Sequence, residues 1–171
     1  MLWEFATGVN LGPVIEVSGE FAARFTIFAL MLTPLMMLFP RSNAIRWLLR
    51  RRRYLGVAAF GYALLHTLAY LVNTGSPNAA FAEITRTAIW IGWIAFVLFV
   101  PLALTSNAAS VRALGRRWKW LQRLVYPAAL LTAAHWFFLT YQWGGVLTHF
   151  LPLALLEVYR VWRSQPSRIN P

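Results

Sequence analysis

Long apolar runs separated by short, arginine-rich connections constrain this chain more than any other feature. A bilayer hydrocarbon core about 30 Å thick is crossed by about 20 mostly apolar residues, each rising about 1.5 Å along a helix. Four such runs stand out, at residues 21–39, 54–72, 87–104 and 124–141, and a fifth at 145–162 carries Thr148, His149 and Glu157 among Leu, Val and Phe. The connections 40–53, 73–86, 105–123 and 142–144 are short, so consecutive spans should run antiparallel and pack as neighbours. The expected fold class is all-α, an integral membrane bundle of five transmembrane helices. With only 12% charged residues against 59% hydrophobic ones, the chain has too little polar residue to coat a water-facing surface, where about 25% charge is usual. Residues 1–19, broken by Gly8, Gly12 and Pro13 and carrying Glu4 and Glu16, are expected to be an interfacial segment rather than a span or a signal peptide. The organisation is then that segment, a bundle over 20–163 and a tail over 164–171.

The net charge of +11 raises a nucleic-acid reading, which its placement disfavours. If the five spans alternate, Arg41, Arg46, Arg50, Arg51, Arg52 and Arg53 share one side with Arg112, Arg116, Arg117, Lys119, Arg123, Arg160, Arg163 and Arg168. Only Arg24 and Arg86 fall on the other. By the positive-inside rule the first side is cytoplasmic, with the N-terminus outside and the C-terminus inside. Four of the five acids, Glu4, Glu16, Glu20 and Glu83, lie on the outer side. The charge is therefore mostly topology and contact with anionic lipid, with no nucleic-acid partner expected.

With no Cys in the chain, thiolate chemistry, iron–sulfur clusters and Cys-ligated zinc are excluded. All three His lie in the spans, where an ionisable side chain is costly and is a functional candidate by default. His66 follows the last charge before its span, Arg53, by 13 residues, and His135 follows Arg123 by 12 (66 − 53 and 135 − 123). Both helices leave the same side, so the two rings should sit at one depth, about 18–20 Å in from the cytoplasmic edge. Tyr62 and Tyr70 flank His66 at i−4 and i+4, and Ala128 and Thr132 share the face of His135. Two facing imidazoles can clamp an iron from both sides, and the only other soft ligands in spans are Met31, Met36 and Met37. A b-type haem with two His ligands fits best; zinc would want more ligands than this depth offers. The competing reading is that each His is a hydrogen-bonded helix-packing residue. His149 lies only about 6 Å below the outer surface, too high for a haem ligand, and could pack there, receive a proton or touch a propionate. Arg24 and Arg86 could pair with haem propionates or reach out to lipid headgroups.

The stretch Arg51-Arg52-Arg53-Tyr54-Leu55-Gly56, then Tyr62-Ala63-Leu64-Leu65-His66, resembles the ferric-reductase-like transmembrane domain. So do Leu102-Ala103-Leu104-Thr105-Ser106, Leu114-Gly115-Arg116-Arg117-Trp118, Leu121-Gln122-Arg123-Leu124-Val125-Tyr126 and His135-Trp136. Within that group the likeness, over about residues 20–160, is to the MsrQ (YedZ) family, the haem-binding membrane subunits of the bacterial periplasmic methionine-sulfoxide reductase system. The resemblance implies an inner-membrane electron carrier that takes electrons from the quinone pool or a bound flavin such as FMN. Through haem b it would pass them to a periplasmic molybdopterin-dependent subunit that reduces methionine sulfoxide. It further implies that reductant comes from quinol, flavin or a partner, because the 171 residues carry no separate flavin or nicotinamide domain. A flavin phosphate could dock on Arg51, Arg52, Arg116 or Arg117. Two departures from the family pattern stand out. Gln122 replaces a family His, which implies one securely held haem, between His66 and His135. Residues 1–19 are too short and polar to supply the additional N-terminal span that the family usually has. No catalytic residue is expected, since the redox chemistry belongs to the cofactor. Rival readings are a transmembrane ferric or cupric reductase, and a non-redox helical scaffold.

Overall fold

The structure, a computed structural model, describes residues 10–165. The first nine residues of the expected interfacial segment, and the tail beyond Gln165, lie outside the described residues. Five long helices carry the architecture: α1 (Gly12–Leu38), α2 (Asn43–Thr74), α4 (Thr87–Leu104), α7 (Val125–Thr140) and α8 (Trp143–Ser164). Between them lie three short ones, α3 (Pro77–Ala82), α5 (Ala108–Leu114) and α6 (Arg116–Gln122), and a 3₁₀ turn over Glu83–Thr85. No strand occurs among the described residues. The all-α class expected from the sequence holds. Three helices, α1, α2 and α4, are long and apolar enough to cross a membrane by length and composition. At 16 residues, α7 reaches about 24 Å, and α8 carries Glu157, Arg160 and Arg163.

The helices begin and end where local chemistry directs, which is not always where the apolar runs do. The expected interfacial segment is, from Gly12 onward, the start of α1, with Pro13 in the first turn, where its missing N–H costs nothing. Likewise α2 starts at Asn43 rather than Tyr54, because Ser42 caps it by accepting from the Ile45 backbone N–H at 3.3 Å. The cluster Arg50–Arg53 therefore lies on helix, not in a loop. At the far end, Gly75 takes the left-handed conformation (φ 75°) that closes α2. Ser76 and Asn107 cap α3 and α5 in the same manner as Ser42.

Packing in this bundle is inverted relative to a water-soluble core. The buried positions are largely small: Ala22, Ala23, Ala59, Ala69, Ala88, Ala95, Ala128 and Ala129. Large apolar side chains such as Leu130 (72% exposed), Leu104 (69%) and Val158 (67%) point outward. Lipid gives such side chains no reason to hide, while small residues let helix backbones approach closely, so this distribution is that of a membrane bundle. The helices associate as two principal pairs, α1 with α2 and α4 with α7, joined through contacts of α2 with α4 and α1 with α7. Phe21 and Phe25 of α1 stack on Tyr62 of α2 at 5.2 and 5.6 Å. Phe99 and Leu102 of α4 close around Ala128 of α7. The expectation that consecutive spans are nearest neighbours holds less well for α8, which packs chiefly against α1 and only lightly against α7.

Candidate paired-histidine site

The two helix pairs meet around one cavity of about 510 Å³, lined from α1, α2, α4, α7 and the turn before α4. That volume lies within the usual range of cofactor sites, about 300–1,000 Å³. His66 of α2 and His135 of α7 both line it, with ring centres 6.1 Å apart and ring planes at 90°. The two rings that residue spacing paired are thus brought together in one cavity.

Each ring is anchored across its own helix pair. His66 Nδ1 lies 2.8 Å from the carbonyl oxygen of Ile15 in α1, and His135 Nδ1 lies 2.7 Å from that of Ala88 in α4. A carbonyl oxygen can only accept, so both rings carry their proton on Nδ1 and donate it. Nε2 keeps its lone pair and is the nitrogen left free to accept or to ligate. A metal held by two imidazole nitrogens at about 2 Å each, with each nitrogen about 1.2 Å from its ring centre, sets the ring centres about 6 Å apart. The observed spacing fits that requirement. Among the described residues no group of three or more His, Asp or Glu is placed to hold a metal ion.

Around this pair Trp93 and Trp136 form apolar walls, and Thr132 of α7 lines the same space as expected. Tyr70 lines it too and donates its hydroxyl proton to Glu83 at 2.8 Å, while Tyr62 is turned to the Phe21 and Phe25 stack. Of Arg24 and Arg86, expected on the outer side, the structure brings Arg86 to the cavity and not Arg24. Arg86 pairs loosely with Glu83 at 3.8 Å. Arg24 is held by Glu20 at 2.7 Å and donates from Nε to His149 Nε2 at 3.3 Å. His149 stands outside the cavity, donating from Nδ1 to the Gly145 carbonyl at 2.8 Å and resting against Trp136 at 5.0 Å between ring centres. It reaches the lining through that tryptophan and, by way of Arg24, through Glu20.

The remaining candidates lie elsewhere. Arg51 covers the Trp47 ring at 4.1 Å, Arg52 donates to Thr33 at 3.3 Å, and Arg116 and Arg117 are exposed at the start of α6. None of the four lines the cavity. Gln122 closes the end of α4, donating to the Leu102 carbonyl at 3.3 Å and to the Thr105 hydroxyl at 3.1 Å. Trp118 adds a third bond, to the Thr105 carbonyl at 3.0 Å. The Trp118 bond satisfies a helix-terminal carbonyl, while the Leu102 carbonyl that Gln122 reaches also accepts from the Ser106 hydroxyl at 2.6 Å.

Gly19 and Gly92 escaped the sequence reading. A Cβ on Gly19 would stand 2.9 Å from His66 Nδ1, and one on Gly92 would stand 2.6 Å from His135 Nδ1. For Gly92 the signal available in the sequence was a glycine inside an apolar helical run, which costs about 1 kcal/mol relative to Ala and so calls for a packing reason; Gly19, just ahead of the first run, gave no such signal.

Fold and site together define a membrane-embedded helical bundle built around a pair of converging imidazoles. Comparison with known proteins agrees: residues 19–133 match the family described as "Ferric reductase like transmembrane component". The chain is 42% identical to the protein-methionine-sulfoxide reductase heme-binding subunit MsrQ of Rhizobium meliloti (strain 1021), over 98% of this chain and 79% of that protein. It is 44% identical to the MsrQ of Brucella ovis, over 95% of this chain and 75% of the relative, and 43% identical to that of Brucella anthropi, over 83% and 67%. The chain belongs to the ferric-reductase-like transmembrane family and, within it, to the MsrQ proteins.

Proposed function

We propose that the chain is a haem b-binding electron-transfer subunit of a periplasmic methionine-sulfoxide reductase system, with His66 and His135 as the axial ligands of a single haem. The observation that carries this reading is the pair of imidazoles at 6.1 Å, each with Nδ1 committed to a backbone carbonyl and Nε2 left to ligate. The relatives' names, which describe heme-binding subunits of a protein-methionine-sulfoxide reductase, support the partner. Haem would supply one-electron redox chemistry, and the protein's residues supply ligation, burial and orientation. Arg86, at the cavity wall, is the residue available to a propionate. Electrons come from quinol or a bound flavin such as FMN on the arginine-rich cytoplasmic side. They leave toward a molybdopterin-dependent partner in the periplasm, across a bacterial inner membrane that the chain crosses five times with its C-terminus inside.

The test is a dithionite-reduced-minus-oxidised spectrum of the purified protein with pyridine haemochrome quantitation. One haem b per chain is expected, and His66→Ala and His135→Ala should each abolish its retention. A wild-type protein expressed in haem-replete cells that purifies without a Soret band removes the reading. A His66→Ala variant with full haem content removes the ligand assignment.

A further inference from the structure

The two histidines are held by the same device, built twice. In α1, Ile15 offers its carbonyl to His66, and Gly19, one turn further on the same face, leaves the space against which the ring lies. In α4, Ala88 offers its carbonyl to His135, and Gly92, again four residues on, leaves the space for that ring. Non-bonded carbon atoms settle about 3.5–4.0 Å apart. A Cβ at Gly92 would meet Nδ1 at 2.6 Å and Cε1 at 2.7 Å of His135, and one at Gly19 would meet Nδ1 at 2.9 Å and Cε1 at 3.1 Å of His66. The atom crowded first is in both cases the nitrogen that donates to the carbonyl. A ring pushed off by even a methyl group therefore loses its hydrogen bond before it loses anything else. Gly61 of α2 is a different case, with nothing within 4 Å of where its Cβ would stand.

We infer that Gly19 and Gly92 are positioning residues, a matched pair of ring seats that fix the rotation and tautomer of His66 and His135. On the haem reading above, they thereby set the electronic state of the iron. Each seat turns its ring about the Cβ–Cγ bond until Nδ1–H meets the carbonyl one helical turn earlier, which leaves the two planes at 90°. A hydrogen bond from Nδ1–H makes an imidazole a more basic ligand, which favours the ferric state. Removing a seat loosens that bond, so the midpoint potential rises, and the altered ring rotation changes the anisotropy of the low-spin ferric EPR spectrum. A merely structural glycine would do neither.

The experiment compares the full-length wild type with Gly19→Ala and Gly92→Ala, with Gly61→Ala as the control carrying the same chemical change in open space. ¹⁵N NMR of histidine-labelled protein prepared without haem reads the tautomers. EPR and potentiometry of the haem-loaded protein read the electronic state. Expected are Nδ1–H tautomers for His66 and His135 in the wild type and in Gly61→Ala. In the seat variants the affected ring should lose the Nδ1–H signature, the EPR g-values should move and the potential should rise. Loss of haem from a variant that remains helical and monodisperse is the stronger form of the same result. Wild-type rings protonated at Nε2 overturn the inference without any variant, so it stays open to refutation even if both variants fail to fold. Wild-type tautomers, spectra and potential in both variants overturn it as well. Absence of haem from the wild type sinks the haem reading instead, and the NMR comparison still decides whether the glycines seat the rings.

Discussion

At the scale of single residues, the arrangement separates groups that act on the cavity from groups that hold the frame. Arg86 lines the cavity and has only a long ion pair to Glu83. Removing its charge with Arg86→Gln should favour the more positive ferric state. The midpoint potential should fall by an amount on the order of 1 kcal/mol, or about 40 mV for a one-electron couple, as read by potentiometric titration. Arg24 lies off the cavity but pairs with Glu20, which lines it, so Arg24→Gln should also lower the potential by leaving that carboxylate unpaired. Gln122 belongs to the frame. Its amide binds the Leu102 carbonyl and the Thr105 hydroxyl, so Gln122→Ala should lower thermal stability by about 1 kcal/mol while leaving haem content intact. A melt in detergent paired with haemochrome quantitation checks both halves of that statement. The identity of residue 122 was legible from the sequence as a departure from the family motif. Its role at the end of α4 was not, because that depends on α6 folding back beside Thr105.

At the scale of helices, small buried side chains decide how closely the pairs approach. Ala128 is fully buried against Phe99 and Leu102. Ala128→Leu should therefore force α7 away from α4, with a cost of about 1–3 kcal/mol. That displacement moves His135 relative to Ala88, so haem retention should fall with the melting temperature; a variant with wild-type melting and haem content would show the α4–α7 contact to be slack. The existence of the long helices follows from apolar run length, and the equal depth of the two His follows from counting residues after Arg53 and Arg123. The helix starts at Gly12 and Asn43 depart from the apolar runs because they answer to caps and hydrogen bonds, which hydrophobicity does not report. Gly92 was readable only as a glycine in an apolar run, and Gly19 fell in the segment read as interfacial. Which ring each one faces depends on helix rotation and neighbour choice.

At the scale of the whole molecule, the outward-facing apolar side chains describe a membrane bundle, and the orientation proposed for it rests on the charge distribution. If the chain crosses five times, as proposed, fourteen of the sixteen Lys and Arg fall on one side. A reporter fused after the C-terminus should accordingly be active only in cytoplasmic format, and a periplasm-dependent reporter active there would reverse the topology. The sequence by itself determined that the chain is an all-α membrane bundle and that two histidines stand at matching positions along their helices. Each of those follows from residue order along a helix axis and from the high cost of polar groups in hydrocarbon. The pairing of α1 with α2 and of α4 with α7 was expected from chain order; tertiary structure alone decided that these two pairs dominate the packing and that α8 closes on α1 rather than on α7. It also decided that each imidazole finds a carbonyl and a glycine on the helix opposite. Those are rotational facts about the helices, fixed by close contact between small side chains, and one-dimensional order carries almost no record of them.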